Sequence, residues 1–253
     1  MQKHRSFLAL IGAVVVAAGC SSTGPGGTQV SLALASTAAT PVASRAPGAF
    51  SMAGTEMYVS GTDTLVLTKV DVVLRQIELK PVEVTSCAAA PDGCDDFEVG
   101  PVVVPVPLGG VSREFSIAVD PGTYDEIEFE FHKLSSGAPA DAAVLANRSD
   151  MADKSIHAEG TFNGQAFSYD SDLDVEQEFN LMQPLVVDAN TTSTNLTIRL
   201  GLSDWFRDQA GMLVNPNDGN VGGQYESIIK DNIKQSIDAF EDRDADGDST
   251  DEV

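Results

Sequence analysis

Arg113-Glu114-Phe115-Ser116-Ile117-Ala118-Val119-Asp120-Pro121-Gly122-Thr123-Tyr124-Asp125-Glu126-Ile127-Glu128-Phe129-Glu130-Phe131-His132-Lys133-Leu134 alternates in two runs around one turn. Phe115, Ile117 and Val119 share one side of the first run, and Ile127, Phe129 and Phe131 share one side of the second. Glu126, Glu128 and Glu130 fall between the latter, facing water. A period of two belongs to a pleated strand with one buried and one wet face, because successive side chains leave a strand on opposite sides. Asp120-Pro121-Gly122 is turn chemistry, with proline presetting φ and glycine free to take positive φ. The stretch predicts a strand over 113–119 that turns and returns over 124–134.

The same period recurs on both sides of this stretch. Val30, Leu32 and Leu34 alternate first. Over 64–80 the apolar set is Leu65, Leu67, then Val70, Val72, Leu74, then Ile77, Leu79, so its phase slips twice and two bulges or bends are expected. A strand over 101–108 carries prolines, which cannot donate to a ladder, and this makes it an edge. Residues 135–154 are small and polar without a sustained period and form the longest loop. A hairpin over 155–162 and 165–171 follows, joined by Asn163-Gly164, the pair suited to a type I′ turn in which both positions have positive φ. Further strands are expected over 175–181 and 194–202.

Past Leu202 the period moves from 2 toward 3.6. Ser203 can cap a short turn carrying Trp205 and Phe206, and 225–241 places Ile229, Ile233, Ile237 and Phe240 on one stripe, which predicts an amphipathic helix of about four to five turns. The expected fold is all-β: a two-sheet antiparallel β-sandwich of immunoglobulin or transthyretin type over 28–202. Its C-terminal amphipathic helix lies in a segment, 203–241, packed on the sandwich. The proline-bearing edges favour a sandwich over a closed barrel.

The beginning of the chain reads as an address. Lys3, His4 and Arg5 precede the apolar run from Phe7 to Val16. Residues 1–19 therefore read as a signal peptide, with an apolar stretch shorter than the about 20 residues needed to cross a bilayer. Ala17-Ala18-Gly19 before Cys20 resembles the lipobox of bacterial lipoproteins, although leucine or valine is commoner where Ala17 stands. That resemblance implies that the Cys20 sulfur receives diacylglycerol and that Cys20 becomes the mature N-terminus. Ser21 in place of aspartate implies the outer membrane of a Gram-negative envelope. Several acyl chains on one residue anchor stably where one chain would not. Residues 20–27, ending Ser-Ser-Thr-Gly-Pro-Gly-Gly, form a lipidated tether.

The whole chain carries a net charge of −23, and removal of 1–19 takes two bases and no acid. Such a surface is repelled by phosphate backbones and anionic headgroups, which excludes nucleic acid as a partner. Cations, basic envelope proteins and neutral glycans fit better.

Three segments together resemble a family of bacterial lipoproteins whose domain has no assigned activity. They are the alternating strand after the lipid site, Val70-Asp71-Val72-Val73-Leu74-Arg75-Gln76-Ile77-Glu78-Leu79, and Pro121-Gly122-Thr123-Tyr124 leading into the next long strand. The likeness spans most of 28–202. It implies a sandwich and no particular chemistry.

Candidate sites are few. Cys87 and Cys94, in a polar stretch of an exported chain, read as a disulfide; a redox or metal pair would want Cys-x-x-Cys spacing or a nearby histidine. The acidic tail over 242–253 places Asp242, Asp244 and Asp246 at loop positions 1, 3 and 5, with Gly247 at 6. This resembles the first half of an EF-hand calcium loop, with Asp248 and Glu252 as further oxygen donors and the predicted helix entering it. Its second half departs from the pattern at Ser249 and Val253, and an acidic tail that simply solvates is the plain alternative. Asn215-Pro216-Asn217-Asp218-Gly219-Asn220 is oxygen-rich but reads first as a turn.

His132 and His157 are expected on outward strand faces, with Glu159 beside His157 as a conceivable metal group. Asp170 with Asp172, and Glu176 with Glu178, could serve as hydrolase acids only inside a cleft. Trp205 and Phe206 could stack on a sugar ring or pack the helix onto the sandwich. No nucleophile elbow, His-Glu-x-x-His or phosphate-cradling loop is present in the sequence. The function expected is a membrane-anchored extracytoplasmic lipoprotein that works as a non-enzymatic structural or partner-binding module. The alternative is an envelope glycan hydrolase or carbohydrate-binding protein.

Overall fold

A computed structural model describes residues 28–36, 49–52, 54–82, 100–119, 121–188 and 193–242. The signal peptide, Cys20, Cys87, Cys94 and the tail beyond Asp242 lie outside the described residues. In chain order the strands are β1 (Thr28–Ala35), β2 (Ala49–Met52), β3 (Thr55–Ser60), β4 (Asp63–Pro81), β5 (Val102–Pro105), β6 (Val111–Val119), β7 (Gly122–Phe131), β8 (Ile156–Phe162), β9 (Gln165–Ser171), β10 (Val175–Val187), β11 (Ser193–Leu200) and β12 (Ile237–Glu241). The α-helices among the described residues are α1 (Ala142–Leu145), α2 (Leu202–Trp205) and α3 (Glu226–Gln235).

The spine is β4, long enough to carry neighbours end to end on both edges. One edge pairs with β3 opposite Asp63–Leu67 and then β5 opposite Asp71–Leu74; the other pairs with β8 opposite Leu65–Val72 and then β7 opposite Leu74–Pro81. Both expected phase slips are present. The ladder to β8 shifts between Leu67 and Lys69, and the ladder to β7 shifts between Arg75 and Glu78, where Gln76 takes a φ of 54°. Each extra residue restores the inward face, so Leu65, Leu67, Val70, Val72, Leu74, Ile77 and Leu79 are all buried. The proline-bearing β5 pairs with β4 alone among the described strands, as an edge should.

The two strands expected over 113–119 and 124–134 are present as β6 and β7, but they do not pair with each other. β6 joins the four-stranded sheet β12-β11-β1-β6, and β7 joins the eight-stranded sheet between β10 and β4. Crossing from one sheet to the other brings both strands to one core, where Val119 of β6 is buried with Ile127, Phe129 and Phe131 of β7. All pairs in the larger sheet are antiparallel, whereas β1 runs parallel to β11 in the smaller one. The molecule is thus mostly β and sandwich-like. Between the sheets, Val30, Leu32, Leu34, Leu196, Ile198 and Leu200 meet Leu67, Val72, Ile127, Phe129 and Phe131 in one core, each at most 1% exposed. Each such side chain contributes about 1.5–3 kcal/mol on leaving water.

The expected C-terminal helix is shorter than its stripe. α3 ends at Gln235, and Ile237–Glu241 form β12 against β11. Ser236 is the pivot: its hydroxyl donates to Ile233 O at 2.8 Å and accepts the Trp205 indole N–H at 2.8 Å, while its carbonyl accepts Gly201 N at 2.8 Å. A serine bonded back to its own turn competes with the helix, and the open edge of β11 then captures the chain. Ile237 stands four residues after Ile233 and two before Ala239, so its position suits either period. Trp205 and Phe206 are fully buried against Tyr169 and α3, which is packing and leaves no exposed sugar platform. No helix among the described residues is long and apolar enough to cross a membrane, which says nothing about a β-barrel.

The Asn163-Gly164 hairpin is present, with φ of 51° and 77°. The asparagine-rich turn is a 3₁₀ helix, Pro216–Gly219, and the side chains of Asn217 within it and Asn220 after it bond the edge of β9 that β8 does not occupy. Ser168 N donates to Asn217 Oδ1 at 3.3 Å, Asp170 N donates to Asn220 Oδ1 at 2.7 Å, and Asn220 Nδ2 donates to Ser168 O at 3.1 Å. Side-chain amides thus take the place of a neighbouring strand and block edge-to-edge pairing.

Candidate functional site

The alternation that buries one side of the larger sheet places charge on the other. Glu126, Glu128, Glu130 and His132 project from β7 and its end, Asp71, Arg75, Glu78 and Lys80 from β4, His157 and Glu159 from β8, and Glu176 and Glu178 from β10. Where β7 meets β10, Glu130 stands opposite Glu176 and Glu128 opposite Glu178. Like charges directly opposed weaken a ladder. Carboxylate oxygens of Glu128, Glu176 and Glu178 lie within 4.8 Å of one another. A hydrogen bond shared with Glu128, together with its charge, holds the Glu176 carboxyl above the usual carboxylate range. Lys80, bonded to Glu78 and 3.2 Å from Glu128, is the cation beside this group.

Both histidines lie on this face, as expected, yet neither is exposed: His132 is 6% and His157 8% accessible. The 132–155 excursion and its neighbours cover them. β7 ends opposite Leu74 and β8 begins opposite Val72, with Val73 N donating to Ser155 O at 2.7 Å and His132 N donating to Val73 O at 3.1 Å. The chain therefore leaves and rejoins the same edge of β4 within about one residue. Between these points it folds back through α1 and two 3₁₀ turns, burying Val73, Leu134 and Met151 as a small second core.

His157 is held on both ring nitrogens. Nδ1 is 2.6 Å from Asp170 Oδ1 and Nε2 is 2.8 Å from Glu159 Oε1. The bond from His157 holds the Glu159 carboxyl below its usual range. Around it Lys154 pairs with Asp170 at 3.0 Å, Lys69 with Glu159 at 3.6 Å, and Arg148 with the buried Asp71 at 2.6 Å. The Arg148 guanidinium also holds Asp150 down at about 2. This ionic network is self-saturated and joins the excursion to β4, β8 and β9.

His132 differs. Its Nε2 lies 2.9 Å from Oδ1 of the fully buried Asp141, whose other oxygen accepts Ser135 N at 2.7 Å. Its Nδ1 is buried and makes no hydrogen bond among the described residues. That nitrogen stands 3.6 Å from Glu130 Oε1 and 3.7 Å from Asp174 Oδ1. Arg75 grips the Glu130 carboxylate through both oxygens at 2.7–2.9 Å, its Nη2 reaching the same Oε1 that faces His132. Each histidine thus has its own carboxylates, and of the two Glu159 bonds His157.

The remaining candidates separate. Asp170 is committed to His157 and Lys154, and Asp172 to Lys133 at 3.5 Å and Lys230 at 2.6 Å. Glu176 and Glu178 share an exposed face, as the alternation implies. Asp242 is fully buried at the end of the smaller sheet, where its carboxylate accepts the Thr197 hydroxyl at 2.7 Å, and the element leading to it is β12 where a helix was expected. Asp244, Asp246, Asp248 and Glu252 lie outside the described residues. Sequence reasoning missed Asp141 and Asp174. Glu130 and His132 stand at i and i+2 and so share a face, a legible signal, but Asp141 arrives from the 3₁₀ turn before α1 and Asp174 from the β9–β10 connection. Comparison with known proteins finds no family, curated protein or solved structure that matches this chain.

Proposed function

We propose that this is a lipid-anchored extracytoplasmic binding module that engages a basic partner of the cell envelope through the outer face of its larger sheet. An immunoglobulin- or transthyretin-like sandwich is the scaffold in this reading. The observation that carries it is the acidic row across β7 and β10. Glu128, Glu176 and Glu178 crowd on a wet face, with like charges opposed across the ladder. Lysine or arginine side chains from a partner would relieve that repulsion. The anchoring half rests on sequence: Ala17-Ala18-Gly19 before Cys20, with β1 beginning eight residues later at Thr28. At about 3.3–3.6 Å per residue the tether keeps the domain within about 30 Å of the lipid. Calcium in the tail is a subsidiary part of the reading, with Asp242 already engaged by Thr197.

The test has two arms. Cys20→Ala should release the protein from membranes washed in high salt. Immobilised polylysine should retain the wild-type protein at moderate salt, and Glu128→Gln/Glu176→Gln/Glu178→Gln should elute earlier than a variant losing three acids elsewhere, Asp153→Asn/Asp204→Asn/Asp231→Asn. Equal elution of the two triple variants would reduce the face to bulk charge and end the proposal.

A further inference from the structure

We infer that Glu130, His132 and Asp174 form a binding site for a divalent transition ion of the zinc class, with Asp141 orienting the imidazole from behind. The inference does not depend on the acidic row or on anchoring.

The imidazole supplies the first argument. Asp141 takes Ser135 N on one oxygen and faces His132 Nε2 with the other; an ionised carboxylate only accepts, which assigns the proton of this contact to Nε2. That bond fixes the ring orientation and leaves Nδ1 as the nitrogen able to offer a lone pair. A buried nitrogen without a hydrogen bond is uncommon and costs desolvation. A carboxylate on one ring nitrogen and a metal on the other is the arrangement by which proteins hold and tune histidine ligands.

Geometry supplies the second. Bonds of about 2.0–2.2 Å around a tetrahedral ion place neighbouring donors about 3.3–3.6 Å apart. The Nδ1 separations of 3.6 Å and 3.7 Å to the two carboxylate oxygens are within a tenth or two of an ångström of this. All three ligand atoms lie within 4.8 Å of one another. Asp174 is half-exposed, with 52% of its side chain accessible, so the fourth position opens to water.

Charge and ligand type narrow the ion. Glu130, Asp141 and Asp174 against Arg75 leave two negative charges, which a divalent ion neutralises. Calcium takes about 6–8 oxygens and has little use for an imidazole, whereas one nitrogen with two carboxylates suits zinc and its neighbours. The site would clasp the end of β7 to the start of β10, with Asp141 tying in the excursion.

Purified full-length chain, stripped with chelator, should take up one zinc at a saturable site and melt at a higher temperature with it. Cobalt in its place should give visible d–d bands without a thiolate charge-transfer band, which separates this site from Cys87 and Cys94. Asp174→Asn, at an exposed position, should keep the metal-free melting temperature yet lose affinity at least tenfold and the zinc-dependent shift. Asp141→Asn should weaken zinc by about 10–100-fold. Asp204→Asn/Asp231→Asn, two acids paired with Arg207 and Lys234 elsewhere, should leave uptake unchanged. No saturable zinc, or uptake that survives both Asp174→Asn and His132→Gln, overturns the inference and leaves His132 an ion-pair partner of its carboxylates.

Discussion

A carboxyl held up by a neighbouring carboxylate is a local liability, and Glu176 is the case in this molecule. Its range is raised by Glu128, so relative to the unfolded chain its ionisation opposes folding. A group whose folded pKa is raised contributes stability below its unfolded value of about 4.3 and loses it as pH rises through the folded value. Glu176→Gln should therefore raise the melting temperature at neutral pH, and the gain should vanish at about pH 4 and below. Melting curves of both proteins at the two pH values check this, and an equal gain at both would point to a packing effect. The buried Glu56 carboxylate is satisfied. Glu56 accepts from Ser36, Tyr58 and Gly109 N, and burial with this carboxylate beside it pushes the Tyr58 hydroxyl far up.

At the scale of elements, two glycines in the β8–β9 hairpin do different work. Gly164 has φ of +77° and open space around it, so an added Cβ meets no atom and costs only the left-handed backbone, about 1–2 kcal/mol. Gly160 sits opposite the first bulge of β4, where a Cβ would fall 1.9 Å from Val66 O. Backbone must move there, so Gly160→Ala should cost more than Gly164→Ala and reach the top of the usual range of about 0.5–3 kcal/mol or exceed it. Urea midpoints of the two variants decide the order, and a smaller loss for Gly160→Ala would show that β4 yields easily at its bulge. Asn163 adds to the turn by donating to Asp63 Oδ1 and accepting Thr64 N, both at 2.8 Å, which ties the hairpin to the start of β4.

For the whole molecule, stability depends on acids held ionised by cations. Asp150, Glu159, Asp172 and Glu226 all have lowered carboxyls, through Arg148, His157, and Lys230 for the last two. Groups depressed on folding contribute above their unfolded values of about 4 and lose that contribution as pH falls through the folded ones. Stability should therefore decline from about pH 4 toward pH 2. Lys230 bridges Asp172 at 2.6 Å and Glu226 at 2.5 Å, linking α3 to the β9–β10 connection. Lys230→Met should lower neutral stability by about 0.5–1 kcal/mol and flatten the acid decline. Urea unfolding at stepped pH measures both effects, and an unchanged slope would assign the acid loss to other groups.

Alternation is a property of residues i and i+2, so it reads directly from the chain. The inward and outward faces of β1, β4, β7, β8 and β11, the two slips in β4, the edge character of β5 and the Asn163-Gly164 hairpin were all determined by sequence. Each depends on local steric and hydropathic rules. Partner choice is not local. That β6 abandons β7 for β1, that β1 runs parallel to β11, and that the chain leaves its helical path at Ser236 depend on edges formed by residues far away in sequence. The candidate centre divides the same way. Glu130 and His132 share a face by alternation, whereas Asp141 and Asp174 meet them only because the 132–155 excursion leaves and rejoins one edge of β4 and the β9–β10 connection passes beside it. Burial of both histidines follows from that covering, which no residue's immediate neighbours in the chain specify.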